Sequence, residues 1–409
     1  MTSWKRTLYI VFFAQFVSAV GFSVMFPFLP LYVQELGSQT GTSIEFWIGM
    51  VFSAQALTMM VASPMWGSVA DRYGRKLMVE RAMFGGTIIM FLMAFARSAE
   101  ELVLLRALQG IITGTVPAAN ALVAAAVPRE RSGYAMGMLQ MGFWAGIAVG
   151  PLLGGIIADA VGYSTTFVVT SVMLLIAGLM VWLGVKENFT PPEKTKKRPN
   201  MLASWGHILR EKSLAMIYTI RFLGWLGQTM IVPILPLFVQ SLLVSSSRVG
   251  TMTGLIVGVA SATGTASAIY LGRLGDRIGH RRILIVSTLA AALLYVPQIF
   301  ATEAWQLLIL QALTGVANGG IMPSLSALLA RYSQPGEEGA VYGLDSSIVA
   351  GARALAPLLA SGVVLWLGWS GIFIASAVTM FITFVLVILF LPDEQPNTEV
   401  SPTLSESKQ

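Results

Sequence analysis

The sequence predicts an all-α membrane protein: twelve transmembrane helices in two pseudo-symmetric six-helix bundles. Three observations predict it. First, 55% of the 409 residues are hydrophobic and only 11% are charged, against roughly 25% charged in a soluble domain. Second, apolar runs of about 20 residues, enough to span a bilayer, recur along the whole chain. Third, the first half of the chain repeats in the second at a near-constant offset, the mark of a duplicated unit.

Twelve runs lie at about 7–33, 46–68, 77–96, 101–126, 133–161, 163–185, 213–240, 248–272, 282–301, 304–330, 339–367 and 369–391. The first follows the basic segment Met1–Arg6. It is too long for the apolar region of a cleaved leader and holds no small-residue cleavage site, so it is expected to stay as the first span. The runs are continuous rather than alternating, which excludes a β-barrel.

Lys and Arg orient the spans. If both termini share one side, 20 of the 26 basic residues fall on that side and only Arg97 and Arg248 on the other. Arg81, Arg106, Arg221 and Arg353 lie inside predicted helices. Both termini are therefore expected in the cytoplasm, and the net charge of +6 serves topology rather than nucleic acid. Segment 186–212 begins KENFTPPEKTKKRPN and continues as the short amphipathic stretch MLASWGHILREK. It reads as a basic linker between bundles 1–185 and 213–391, whose charges can also meet anionic lipid. The polar tail 392–409 is expected to be disordered.

Cysteine is absent and only two histidines occur, His207 and His280, both in predicted loops. Disulfides, thiol chemistry and a His-rich metal site are excluded. No HExxH or GxSxG pattern is present, so nothing points to an enzyme, a metal or a bound cofactor.

The repeat is in order and in register. GSVADRYGRK at Gly67 recurs 205 residues later as GRLGDRIGHR at Gly272; PFLPLYV at Pro27 recurs as PILPLFV at Pro233; LLRALQG at Leu104 recurs as ILQALTG at Ile309. A duplicated six-helix unit predicts two bundles facing a central site near the midplane, exposed alternately to each side by rocking.

Three local patterns then stand out. Gly67, Asp71, Arg72, Gly74, Arg75 and Lys76 form a short turn between helices 2 and 3. Gly67 allows close helix approach, Gly74 permits positive φ, and Asp71 among three cations can act as a charged latch. The rival reading is ordinary positive-inside residues, which does not account for the aspartate or the glycine spacing. Arg106, Gln109 and Gly110 lie early in helix 4; a charge at bilayer depth is a functional candidate unless it snorkels to the surface. Gly146, Gly150, Pro151, Gly154 and Gly155 put small residues on one face of helix 5, where they favour tight packing.

On these patterns the chain resembles the major facilitator superfamily across nearly all of its length. The complete glycine pattern of helix 5 resembles that of its drug:proton antiporters. The resemblance implies export of small lipophilic or amphipathic compounds from a bacterial inner membrane by a monomer, with the proton gradient as energy source. It implies that loop 67–76 braces the cytoplasmic gate against helix 11 in the outward-open state, with Gly272, Asp276 and Arg277 doing likewise in the other half. It also implies a role for Arg106 in proton relay, and a glycine seam where the halves meet.

A proton-driven exporter needs an ionisable group that proton and cargo compete for. Helix 1 has no carboxylate between Arg6 and Glu35; past the first residue of each predicted helix, only Glu80, Asp159 and Asp345 are acidic. Asp159 is at the outer end of helix 5. Glu80 has Lys76 and Arg81 beside it. Asp345 lies roughly 9 Å along helix 11 and is the expected proton-linked acid, with Arg353 and Arg221 as partners; the rival is a static ion pair. The cavity is expected between helices 1, 4, 7 and 10, flanked by 2, 5, 8 and 11. Its candidate lining is Phe22, Met25, Phe26, Gln55, Asn120, Gln140, Phe143, Trp144, Trp225, Gln228 and Asn318, with Arg221 and Arg353. Aromatic and methionine walls suit varied lipophilic ligands. Asp345 would favour a cationic cargo and the arginines an anionic one, so the charge class stays open. Two other functions stand beside export: a specific carrier of a sugar, metabolite or siderophore, and a non-transporting receptor or scaffold.

Overall fold

The computed structural model describes residues 3–112, 114–128, 131–187, 205–206, 208–243, 248–332 and 338–391. Most of the expected linker 186–212, including His207, and the tail 392–409 lie outside the described residues. Among the described residues, sixteen helices make twelve passes. Span 1 is α1 (Ser3–Ser23) with α2 (Leu29–Leu36); span 2 is α3 (Ile44–Tyr73) and span 3 is α4 (Arg75–Met93). Span 4 is α5 (Ala99–Ile112) with α6 (Thr115–Ala126); spans 5 and 6 are α7 (Ser132–Val161) and α8 (Tyr163–Gly184). The second half follows the same plan. Span 7 is α9 (Lys212–Thr229) with α10 (Leu235–Leu242), and spans 8 and 9 are α11 (Val249–Ile278) and α12 (His280–Gln298). Span 10 is α13 (Ala304–Gly319) with α14 (Ile321–Tyr332); spans 11 and 12 are α15 (Glu338–Leu367) and α16 (Gly371–Phe390).

Runs 7–33, 101–126, 213–240 and 304–330 are thus each two helices rather than one. In spans 1 and 7 the cause is a pair of prolines, Pro27 with Pro30 and Pro233 with Pro236. Proline has no N–H to donate and crowds the preceding turn. Around the first proline of each pair the chain shifts to tighter i→i+3 bonds, such as Phe28 N to Met25 O at 3.2 Å and Ile234 N to Ile231 O at 3.0 Å. Span 4 breaks before α6 at Gly114, whose φ is +136°.

The repeat survives at atomic detail. α3 and α11 are both 30 residues long and α4 and α12 both 19. Each pair is joined by one glycine, Gly74 or Gly279, with φ of +99° or +98°; a side chain there would be strained, so only glycine reverses the chain so abruptly. The Thr58 hydroxyl donates to Ala107 O at 2.8 Å, and Thr263, 205 residues on, donates to Ala312 O at 2.9 Å.

Among the described residues, eight stretches are long and apolar enough to cross a membrane. Within each half, span 1 packs on 5, 2 on 4 and 3 on 6, and likewise 7 on 11, 8 on 10 and 9 on 12. α4, α8, α12 and α16 carry exposed Ile88, Trp182, Val286 and Phe381. An apolar outer surface of that kind suits lipid, not water. The Lys- and Arg-rich turns gather at one end of the molecule, here the basic end.

Candidate functional site between the two halves

The halves meet along two long helix pairs, α7 with α11 and α3 with α15, and more briefly where α2 touches α10. Glycine sets both approaches. A Cβ at Gly254 would sit 2.2 Å from Pro151 O, and one at Gly49, its mate in the repeat, would sit 2.9 Å from Pro357 O. Only a hydrogen fits at these points. Gly155 and Gly250 are equally close, with a Gly155 Cβ 2.0 Å from Gly250 O. Asp159 then reaches across: Gly250 N and Thr251 N donate to its two carboxylate oxygens at 3.0 and 2.6 Å. A carboxylate of one half therefore caps the first turn of a helix in the other, where free N–H groups and the helix dipole favour negative charge. At the second seam the Ser361 hydroxyl donates to Glu45 O at 2.6 Å.

These contacts all fall at the end away from the basic turns. Toward the basic end the same helices carry exposed Met65 on α3, Tyr134, Met141 and Trp144 on α7, Tyr270 on α11 and Tyr342 on α15. The close cross-half contacts thus lie at one end, and exposed side chains of the same four helices at the other. Trp144 and exposed Gln140 continue the seam face of α7 from Ala148 at i, i+4 spacing. Phe143 packs edge-on to Trp144 at 5.4 Å. Phe22 and Phe26 pack edge-on at 5.3 Å, and Phe26 lies 6.3 Å from Phe52, giving the first half an aromatic wall.

Arg106 does not snorkel. It is 1% exposed. Its Nε donates to Val51 O at 3.1 Å and its Nη1 to Gln109 Oε1 at 2.6 Å and Met25 Sδ at 3.0 Å. Met25, expected in the cavity, is instead fully buried against this guanidinium. At the mate position Gln311 Nε2 donates to Gln298 Oε1 at 2.8 Å, and Gln298 Nε2 donates to Thr314 Oγ1 at 2.9 Å. A neutral amide chain replaces the cation.

Asp345 on α15 is buried and pairs with Arg221 of α9, Nε to Oδ1 2.5 Å. Arg221 Nη1 also donates to Ser326 Oγ of α14 at 3.2 Å, so the pair ties spans 7, 10 and 11. Arg353, the other expected partner, lies eight residues further along α15, about 12 Å at the helical rise. It stacks instead over the Trp225 ring, 4.5 Å from its centroid. Trp225 Nε1 and Gln228 Nε2 are buried with no hydrogen-bond partner. Gly227 faces Met380 and Thr379 of α16. Trp225, two residues and about 200° away round the helix, turns to the opposite side.

A family model described as the Major Facilitator Superfamily matches residues 11–250 and again 217–408. The chain belongs to the major facilitator superfamily. Among its relatives is the Multidrug resistance protein MdtG of Salmonella arizonae, 35% identical over 375 residues that cover 92% of this chain and 93% of that one. The protein of the same name from Serratia proteamaculans is 35% identical over 390 residues, covering 95% and 93%. Among solved structures, the nucleoside transporter NupG matches with a TM-score of 0.81 at 13% identity, covering 94% of this chain and 100% of that one. A bacterial homologue of the human lysosomal transporter Spinster, in an inward-facing and occupied conformation, matches with a TM-score of 0.78 at 14% identity, covering 95% and 97%. At these identities the likeness to the solved structures is one of fold.

In this superfamily member the loop motif is tied to its own half. Backbone N–H groups of Arg75 and Lys76 donate to the Glu187 carboxylate at 3.0 and 2.8 Å. Lys76 Nζ donates to Trp182 O at 2.9 Å and lies 3.4 Å from Glu80. Arg81, expected beside Glu80, stacks over Trp66 at 3.7 Å. Arg72 is exposed, and the surroundings of Gly67 and of the Asp71 side chain lie outside those described. In the second half Asp276 pairs with His280 at 3.2 Å, Arg277 is exposed, and a Cβ at Gly272 would make only ordinary contact with Pro323.

The glycine stripe is a correction. Gly146, Gly150 and Gly154 do not face the other half. A Cβ there would meet Ala19 at 2.6 Å, Ser23 Oγ at 2.0 Å and Val24 O at 1.8 Å, all of span 1 in the same half. Gly155, one residue and about 100° further round, faces α11 with Pro151. Asn318 is a second correction: its Nδ2 donates to Tyr295 Oη of α12 at 3.3 Å, which turns it into its own bundle. Gln55 is buried on α3. The Asn120 Oδ1 is buried without a partner. The Asp159 bridge and the Glu187 cap join residues about 90 and 110 positions apart, and nothing local in the sequence signals either.

Proposed function

We propose that this chain is a secondary active exporter of small lipophilic or amphipathic compounds, working by alternating access and driven by inward proton flow. One observation carries the reading: two repeat-related bodies meet along paired helices whose close cross-half contacts lie at the end away from the basic turns, and the first of them carries the aromatic cluster of Phe22, Phe26 and Phe52. Relatives named multidrug resistance protein support the same cargo class. With the basic end in the cytoplasm, the conformation is open to the inside and ready to load. Both termini then lie in the cytoplasm of a bacterial cell, the protein sits in the inner membrane, and it works as a monomer without a bound cofactor or enzymatic step. Units 1–185 and 213–391 rock as bodies, joined by linker 186–212.

Asp345 is the proton carrier in this reading. A proton on its carboxylate dissolves the pair with Arg221 and loosens the tie between spans 7, 10 and 11. The test is uptake of a lipophilic dye into inverted vesicles under an imposed pH gradient. Uptake that a protonophore abolishes and Asp345→Asn uncouples is the expected result. Uptake indifferent to the gradient overturns the antiport reading; gradient-driven uptake unchanged in Asp345→Asn removes Asp345 from the mechanism.

A further inference from the structure

The charge class of the cargo is the open question, and it rests on the transport reading above. We infer that Arg353, Trp225 and Gln228 form an acceptor-binding site in the C-terminal half, and that the preferred cargo is an amphipathic anion: a carboxylate or similar acid on a lipophilic body.

Arg221 is spoken for by Asp345, and Asp345 by Arg221, so neither presents a free charge. Arg353 is different. Among the described residues no carboxylate lies within ion-pair distance of it, and its neighbour is the face of Trp225. An aromatic face eases a cation but does not neutralise it, and an uncompensated charge at membrane depth is costly. Two orphaned atoms, one on the Trp225 ring it stacks on and one a turn further along α9, share one chemistry. Trp225 Nε1 can only donate, and Gln228 Nε2 is the donor end of its amide. Two unpartnered donors and a cation call for an acceptor that carries negative charge.

The placement suits a cargo site. Arg353 lies four and eight residues before Pro357 and Ser361, the residues that meet α3 at the seam. It is therefore on the seam side of α15, one turn toward the open end. Trp225 turns away from α16, on the same side of α9 as Arg221 and Gln228. The repeat mates of Trp225, Gln228 and Arg353, 206 residues earlier, are Ala19, Phe22 and Ile147. Polar recognition belongs to one half alone, and the aromatic wall of Phe22, Phe26 and Phe52 belongs to the other. An acid head against the first and a lipophilic body against the second fills both.

The test compares two probes with one tail: dansyl-labelled undecanoic acid and its methyl ester, titrated by dansyl fluorescence onto the full chain in lipid nanodiscs at neutral pH. The acid is expected to bind about tenfold tighter than the ester, in keeping with a charge-assisted contact. Arg353→Gln removes that preference and Arg353→Lys keeps most of it. Trp225→Phe, which removes the indole N–H and keeps an aromatic ring beneath Arg353, weakens the acid more than the ester, and serves where Arg353→Gln does not fold. Equal binding of acid and ester, or a preference that survives Arg353→Gln, overturns the inference while the amphiphile reading stands. If neither probe binds, both fall.

Discussion

Single glycines carry much of the packing. Val24 O lies so close to Gly154 that one added methyl would overlap it by well over an ångström, since a Cβ would sit 1.8 Å away. Backbone on both sides cannot yield cheaply, so Gly154→Ala is expected to cost about 1–3 kcal/mol, the range for overpacking. Gly137, on the same helix with nothing within 4 Å, is the control, and Gly137→Ala should leave stability unchanged or slightly improved. Thermal unfolding in detergent compares the two; equal melting would mean that span 1 is not held where the structure has it. Arg106, Asp345 and Arg221 were legible as candidates because a charged residue inside an apolar run is conspicuous. Their partners were not. Sequence cannot say that Met25 turns to Arg106, or that Arg353 passes over Asp345 for Trp225, because both depend on helix rotation set by packing elsewhere.

Helices meet through backbone groups that composition hides. The runs themselves were plain from hydropathy, yet four of them are broken, because hydropathy does not register a missing N–H. The proline pairs at 27–30 and 233–236 were visible as a repeated motif, and their effect on the hydrogen-bond ladder follows from proline alone. The Asp159 cap on α11 had no such signal. Its removal in Asp159→Ala forfeits a cap of about 1 kcal/mol across the closed seam. The chain has no cysteine, so a single cysteine at Ala148 reports on that seam directly. Maleimide labelling from the side opposite the basic turns should speed up severalfold in Asp159→Ala; unchanged labelling would mean that glycine packing alone holds the seam.

The loop after span 1 is clamped in a different manner. Burial pushes the Glu100 carboxyl up, but hydrogen bonds from its own backbone, Ser38, Ser98 and Thr40 outweigh this and pull its pKa down to about 2. A depressed pKa contributes stability above the unfolded value, about 4.3 for glutamate, and loses it as pH falls through the folded value. The clamp should therefore be insensitive to pH from 5 to 8 and weaken only between about 4 and 2. Hydrogen exchange at Gln39 and Thr40, whose N–H groups donate to Glu100, measures it. Loss of protection near neutral pH would contradict the assignment.

At the scale of the molecule the two halves share a frame and divide the chemistry. The frame was legible early, since three motifs repeat in order, and the equal lengths of α3 and α11 and of α4 and α12 follow from it. The division of labour was only partly so. Arg106 against Gln311 could be read by aligning the halves, whereas the grouping of Trp225, Gln228 and Arg353 needed the fold. Which end is closed could not be read at all, because the same seams serve either state. Transport by alternating access requires these halves to rock, closing one end as the other opens. Distances between paired spin labels test it most directly, with one pair at Gly137→Cys and Tyr270→Cys near the basic end of α7 and α11, and a second at Val161→Cys and Arg248→Cys at the other end. On adding a transported dye and lowering the pH, the first distance should shorten as the second lengthens. Two distances that stay fixed, or that change in the same direction, would contradict the claim.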